Sequence, residues 1–441
     1  MRRTVFGILL MLLLTALFLL SFSFKPAKGE WTGTVYIRAD GSIYPSDAPI
    51  ITQDDVTYTL IGNITSTVDA IVVERDNVII DGNGYAINGS RTQYRSGVKI
   101  YGRYNVTLKN LNVQNFWFGV FLGNSYNCTI SGCNIKANVF GILLDAAFNN
   151  TISRNDVKLN TGDGFRIIGC GYNIINGNNV SGNFIGMEIY ISYDNTIYHN
   201  NIINNAEQVY IYNSINTWDD GYPSGGNYWS DYNGVDLYSG PFQNETGCDG
   251  IGDAPYVYGS LNKDRYPLMA PFCTFDAGTW NGVACNIDIV TNSTISNFQL
   301  GIVNKTVSFS VAGENGTTGF CRIIIPNVIV QELWQGNYTV LLNGEPWLFK
   351  NWTAPENTYI YINYTHSEYE IAIVTEFPST IILLMLILTT LATAILFKEK
   401  RKRQKPSFLS GKVHSFLPLT FTAAHCCTFP WVCGSGCFCL C

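Results

Sequence analysis

The chain has 441 residues, of which only 14% are charged, and a formal net charge of −6. Lys398, Lys400, Arg401, Lys402, Arg403 and Lys405 against Glu399 concentrate +5 in one short stretch, which leaves −11 for the remainder. An acidic body argues against nucleic-acid binding, which needs clustered positive charge to displace counterions, and a Gly-, Asn- and Tyr-rich composition suits an extracellular β protein better than a helical cytosolic one.

Residues 1–29 open with Arg2-Arg3, continue through an apolar run to Phe24, and close on Lys25-Pro-Ala-Lys-Gly29. A positive start, an apolar stretch and small residues afterwards describe a secretory signal peptide, with an uncleaved anchor as the alternative.

Residues 30–217 carry an internal repeat. Asn105-Val-Thr-Leu, Asn127-Cys-Thr-Ile, Asn149-Asn-Thr-Ile, Tyr172-Asn-Ile-Ile and Asp194-Asn-Thr-Ile start 22 or 23 residues apart, and Gly97, Gly119, Gly141, Gly164 and Gly186 keep the same step. Stacking the repeats aligns Leu108, Ile130, Ile152, Ile175 and Ile197 in one apolar column and Val113, Ile135, Val157, Val180 and Ile202 in another. Period-two alternation inside each repeat marks strands with one buried face. A coil of this length predicts a parallel β-helix, in which Ile130, Ile152 and Ile175 stand directly over one another. Asn150, Asn173 and Asn195, and likewise Asn155, Asn178 and Asn200, align as polar columns whose amides can bond along the stack; Cys128 and Cys133 share those columns as small buried thiols.

The outward positions beside the post-glycine strand are Lys99, Phe121, Leu143, Arg166, Glu188 and Tyr210, with Asp145, Tyr190 and Tyr212 further along. Aromatic rings mixed with charge on a flat face can stack on sugar rings and bond hydroxyls; an ordinary solvated face accounts for the same residues. Asp163, Arg166, Glu188 and Asp194 lie on neighbouring coils, where equivalent residues are separated by about 4.8 Å. Cleavage of a polysaccharide needs two carboxyls, or a base with a cation opposite the developing charge, which makes Asp163, Arg166 and Glu188 the catalytic candidates.

Residues 218–271 are rich in Asp, Gly and aromatic residues and read as a cap on the solenoid. Asp231, Asp236, Asp249 and Asp253, with Asp264 after them, offer the hard oxygens that Ca²⁺ takes. A hydrogen-bonded cover over an exposed strand edge accounts for them equally well.

Residues 272–376 lose the repeat and show short strands, among them Val307–Val311, Arg322–Ile325, Tyr338–Leu342, Tyr359–Tyr364 and Tyr369–Val374, with turn signals at Asn315-Gly316 and Asn343-Gly344. The expectation is an immunoglobulin-like β-sandwich stalk, with a bridge between Cys273 and Cys285 and Cys321 as a competing partner. Residues 378–397 include an uncharged run from Thr380 that spans roughly 27 Å as a helix, close to the hydrocarbon thickness. The basic cluster after it places residues 398–441, which end in a Cys-rich tail, on the cytoplasmic side and the rest outside. Thirteen Asn-x-Ser/Thr sequons between Asn63 and Asn363 all fall on the outer side.

Several stretches together resemble the right-handed parallel β-helix repeat proteins of the NosD-like and carbohydrate-binding/sugar-hydrolase group, in their archaeal cell-surface form. They are Ile37-Arg-Ala-Asp-Gly-Ser-Ile43, Val73-Glu-Arg-Asp-Asn-Val-Ile-Ile-Asp-Gly-Asn-Gly84, Gly226-Asn-Tyr-Trp-Ser-Asp-Tyr232, Asp249-Gly-Ile-Gly-Asp-Ala-Pro-Tyr256 and Asp264-Arg-Tyr-Pro-Leu-Met269. The resemblance covers roughly residues 33 to 271. Relatives carry a tighter Asp-x-Asn-x-Asp-Gly run than the stretch interrupted here after Asp236. Three functions follow as expectations: a membrane-anchored surface protein binding glycans or building the envelope, a polysaccharide lyase or hydrolase, and a helper in copper-site maturation. Copper wants clustered His, Cys or Met, and the repeat offers His199, Met187 and the two cysteines.

Overall fold

The computed structural model describes residues 31–376 together with Thr389 and Thr393. The signal peptide 1–29, the run 378–397 apart from those two threonines, and the tail 398–441 lie outside the described residues. Among the described residues no helix is long and apolar enough to cross a membrane.

Each repeat folds into one right-handed coil, and about seven turns stack into a parallel β-helix. The coil beginning near Thr151 shows how: strands Thr151–Ser153, Asp156–Lys158 and Asp163–Ile168 turn three corners and return one rung higher. Repetition of these strands builds three nine-stranded sheets, parallel except where antiparallel strands join at the first coils. Register holds residue for residue: Ile130 pairs with Ile152 and Ile152 with Ile175, all three with no exposure, so the expected column is vertical inside one tube. Each such side chain removes apolar surface worth about 1.5–3 kcal/mol from water.

The corners explain the abundance of Asn and Gly. Asn105, Asn127, Asn149, Tyr172 and Asp194 all take positive φ, between 53° and 59°. The next corner repeats the conformation at Asn110, Gly132, Arg154, Gly177 and His199, and a third at Asn115, Ala137, Leu159, Gly182 and Asn204. A left-handed residue with a Cβ costs about 1–2 kcal/mol, least for Asn and nothing for Gly, so the corners select those residues.

Asparagine ladders line the interior. Asn155 N donates to Asn178 Oδ1, Asn178 N to Asn200 Oδ1 and Asn200 N to Asn227 Oδ1, each at 3.0–3.1 Å. A second ladder runs through Asn150, Asn173, Asn195 and Asn216. The third, through Asn138, Asn160, Asn183 and Asn205, goes beyond the two polar columns read from the sequence. Cys128 and Cys133 join the ladders by their backbone N–H, donating to Asn150 and Asn155.

After the last coil, Trp218 and Trp229 are buried in the solenoid core. Asn227 N, Trp229 Nε1 and Tyr266 N all donate to the carboxylate of Asp264, and Arg265 forks onto Asp219.

By contact density the described chain falls into two units. The first, the described residues up to Ser296 with Val311–Val328 and Leu348–Tyr369, holds the solenoid and a five-stranded antiparallel sheet in the order Phe272–Trp280, Val283–Thr291, Thr318–Pro326, Asn357–Thr365, Lys350–Thr353. The second centres on another five-stranded sheet, Thr294–Gly301, Thr306–Ala312, Tyr369–Thr375, Tyr338–Leu342 and Glu345–Pro346, with Ile329–Trp334 of the helix Asn327–Trp334. The five strands read from the sequence all fall within these, and Asn343-Gly344 makes the tight turn with both φ values positive.

The expected Cys273–Cys285 bridge is absent, and Cys321 is also a free thiol. Register explains it. Cys273 pairs with Ile289, which leaves Cys285 four residues along the strand from that partner, about 13 Å at strand rise. A disulfide needs Cα atoms within about 7 Å. Cys321 is on Thr318–Pro326, with strand Val283–Thr291 between it and Cys273.

Candidate functional site

The sheet formed by the post-glycine strands presents the expected column in register: Lys99, Phe121, Leu143, Arg166, Glu188 and Tyr210 are successive cross-strand partners. Two residues on, Tyr101, Gly123, Asp145, Ile168, Tyr190 and Tyr212 form a parallel column. Tyr190 and Tyr212 stack with ring centres 4.6 Å apart and planes within 11°, and Tyr101, Tyr190, Tyr210 and Tyr212 are all exposed, from 38% to 53%. Leu143 is the exception, at 8%. Lys99 Nζ lies 3.8 Å from Asp69.

A third row completes the face and was missed in the sequence reading. Phe118 and Phe140 stack at 5.8 Å, Phe118 also meets Phe121, and Trp117 sits edge-on to Phe140 with Tyr94 beyond it. The signal was present: Phe118-Gly119 and Phe140-Gly141 repeat at the 22-residue step.

The catalytic candidates Asp163, Arg166 and Glu188 do come together. Arg166 Nε lies 2.7 Å from Asp163 Oδ2 and 2.5 Å from Glu188 Oε2, with its guanidinium over the Phe140 ring at 4.1 Å. Asp163 is buried while Arg166 and Glu188 are partly open. Burial, and then a hydrogen bond with Glu188, lifts Asp163 to about 7. Asp194 is not part of this group, because it lies on Tyr193–Tyr198 in a different sheet.

The four calcium candidates are engaged by the protein itself. Asp236 accepts the N–H groups of Asp249 and Gly250, Asp249 accepts that of Ile251, Asp253 accepts those of Leu237 and Tyr238, and Asp231 accepts the Tyr256 hydroxyl. Burial, with the charge of Asp249 second, pushes Asp236 to about 7. Among the described residues no three His, Cys, Asp or Glu side chains gather as a metal-ligand group. The residues also do not suit copper. His199 is half-buried and stacked on Phe272, with desolvation lowering its pKa to about 4; Met187 is in the core, and burial pushes Cys133 up to about 12.

The fold and this face define a parallel β-helix with a rigid, aromatic-lined flank. Residues 34–234 match the family model described as periplasmic copper-binding protein (NosD), over the stretch that folds as the parallel β-helix. No curated protein matches the chain. Among solved structures, full-length tailspike protein 2 from Escherichia coli O157:H7 bacteriophage CAB120 is 11% identical with a TM-score of 0.29, over 71% of this chain and 57% of that one. The chain therefore covers little more than half of that tailspike. The Dettilon tailspike protein is 11% identical with a TM-score of 0.26, over 78% of this chain and 86% of its own. Likeness at these scores says nothing about what this chain does.

Proposed function

We propose that this chain is an exported, membrane-anchored surface protein whose solenoid binds extracellular glycan or envelope polysaccharide along the aromatic flank. The observation that carries the reading is the exposed Tyr190–Tyr212 stack running alongside Arg166, Glu188 and Tyr210 in continuous register. The stacked rings offer an outer face, a row of edges and their hydroxyls to sugar units, while the charged residues meet hydroxyls. Export follows from the leader 1–29, and anchoring from the run 378–397 and the basic cluster after it. Residues 272–376 would then form the sandwich stalk between solenoid and membrane.

The test uses the full chain on a glycan array, with a reducing-sugar and unsaturated-uronate assay in parallel. Specific binding that falls about tenfold or more in Tyr190→Ala and Tyr212→Ala supports the reading; binding indifferent to both overturns it. A second reading, polysaccharide cleavage, is favoured by the two carboxylates of Asp163 and Glu188 converging on Arg166, with Asp163 lifted to about 7 by burial. It predicts turnover abolished by Glu188→Gln, and absence of product from every polysaccharide bound removes it. Protease accessibility of residues 31–376 on intact cells checks the topology.

A further inference from the structure

A cleft of about 390 Å³, with an adjoining lobe of about 240 Å³, opens beside a different flank of the solenoid. Both parts are lined by Arg154, Gly177, Phe272, Thr274 and Asn286; Asn176 and Asp288 lie in the smaller lobe. The combined size falls in the roughly 300–1,000 Å³ range of small-ligand sites.

Two polar atoms in this lobe are buried with no hydrogen-bond partner, Asn176 Oδ1 and Asp288 Oδ1. Both are acceptors. A buried acceptor left unmatched costs about 1–3 kcal/mol, so two in one lobe call for donors from outside the chain. Arg154 contributes the opposite character, a guanidinium whose charge acts on Asp288. The floor is apolar and fixed: Phe272 stacks on His199 at 4.3 Å, and Asn201 bonds the Phe272 backbone through both its N–H and its carbonyl.

These features discriminate between ligand classes. A small cation would meet the guanidinium of Arg154, and an anion would meet Asp288, Asp276 and Asp156. A hydroxyl both donates and accepts, and so serves the orphan oxygens and the guanidinium together. We infer that this cleft is a second carbohydrate site, taking one neutral polyhydroxylated ring on the Phe272 floor between Arg154, Asn176 and Asp288. The inference draws on the glycan reading only for its chemical class, and none of its residues belongs to the aromatic flank.

Arg154 is in a left-handed corner that the stack fills with glycine at positions 132 and 177. Arg154→Gly therefore removes the guanidinium while suiting the turn. The probes are methyl glycosides of glucose, galactose, mannose and N-acetylglucosamine, titrated against the full chain by saturation-transfer NMR. At least one saturates at millimolar concentration and weakens by roughly tenfold or more in Arg154→Gly and in Asp288→Asn. Cooperative melting at an unreduced temperature shows that both variants are folded. Polysaccharide binding on the array is unchanged in Arg154→Gly, which separates the two sites. No saturation by any of the four at tens of millimolar, or saturation equal in both variants and wild type, overturns the inference. If saturation survives in Arg154→Gly and disappears in Tyr212→Ala, the ring binds on the aromatic flank and the cleft is not a site.

Discussion

The coils from Val106 to Ile211 and the segment from Trp218 to Met269 both bury polar side chains, yet they satisfy them in opposite ways. In the coils almost every ladder bond joins residues 22 or 23 apart, so each asparagine is held by its own equivalent one rung away. In the later segment the partners are unlike and distant: Arg265 reaches Asp219 across 46 positions, and Arg322 reaches the Asp249 carbonyl across 73 at 2.5 Å. A repeated contact is redundant, whereas each contact in the later segment occurs once. The comparison teaches that damage to the coils is shared between rungs, while damage where the ladders end is not.

The largest expected effect is at that end. Asp264→Ala leaves Asn227 N, Trp229 Nε1 and Tyr266 N without their acceptor, and costs about 3–5 kcal/mol in urea unfolding. Next comes Asn178→Ala, which strips an acceptor from Asn155 N and a donor from the Ile152 carbonyl, at about 2–3 kcal/mol. A cost for Asn178→Ala equal to or above that for Asp264→Ala would break the comparison.

A smaller effect is set by pH. Burial raises Asp163, Asp236 and Asp264 to about 7, above their unfolded values. Between about pH 4 and 7 the folded chain holds protons that the unfolded chain has released, so stability declines as pH rises through this window. The melting temperature is expected to be higher at pH 5 than at pH 8, and Asp236→Asn to flatten part of the slope. The smallest effect is at a corner: Leu159, exposed with φ at 55°, replaced by Gly gains up to about 1 kcal/mol.

The solenoid was legible because its signal is periodic. Isoleucine columns, asparagine columns and the outward row all follow from one step, and a one-residue slip would have turned Ile152 outward and Thr151 in. Asp163, Arg166 and Glu188 were legible for the same reason, as neighbours on adjacent rungs. The Phe118–Phe140 row was available at the same step and overlooked, since a residue before a glycine reads as part of the corner. The Cys273–Cys285 pairing failed because sequence proximity carries no register. No pattern linked Arg154 and Asn176 to Asp288, because that cleft joins a periodic stretch to an aperiodic one. Asp231, Asp236, Asp249 and Asp253 were legible as a run of carboxylates, but the groups that bond them, backbone amides at three and the Tyr256 hydroxyl at Asp231, cannot be seen in side-chain spacing.

The ladder through Asn155, Asn178, Asn200 and Asn227 runs in one direction, each backbone amide pointing to the amide oxygen of the next rung. Asparagine both gives and receives, so a row of them could be extended without limit. A carboxyl oxygen carries no N–H to hand the bond on, and Asp264, whose Oδ2 accepts from Asn227 N, stands where the next asparagine would be. One oxygen in place of one NH₂ thus acts as a stop codon written in hydrogen bonds, and the number of rungs is counted by chemistry as well as by chain length.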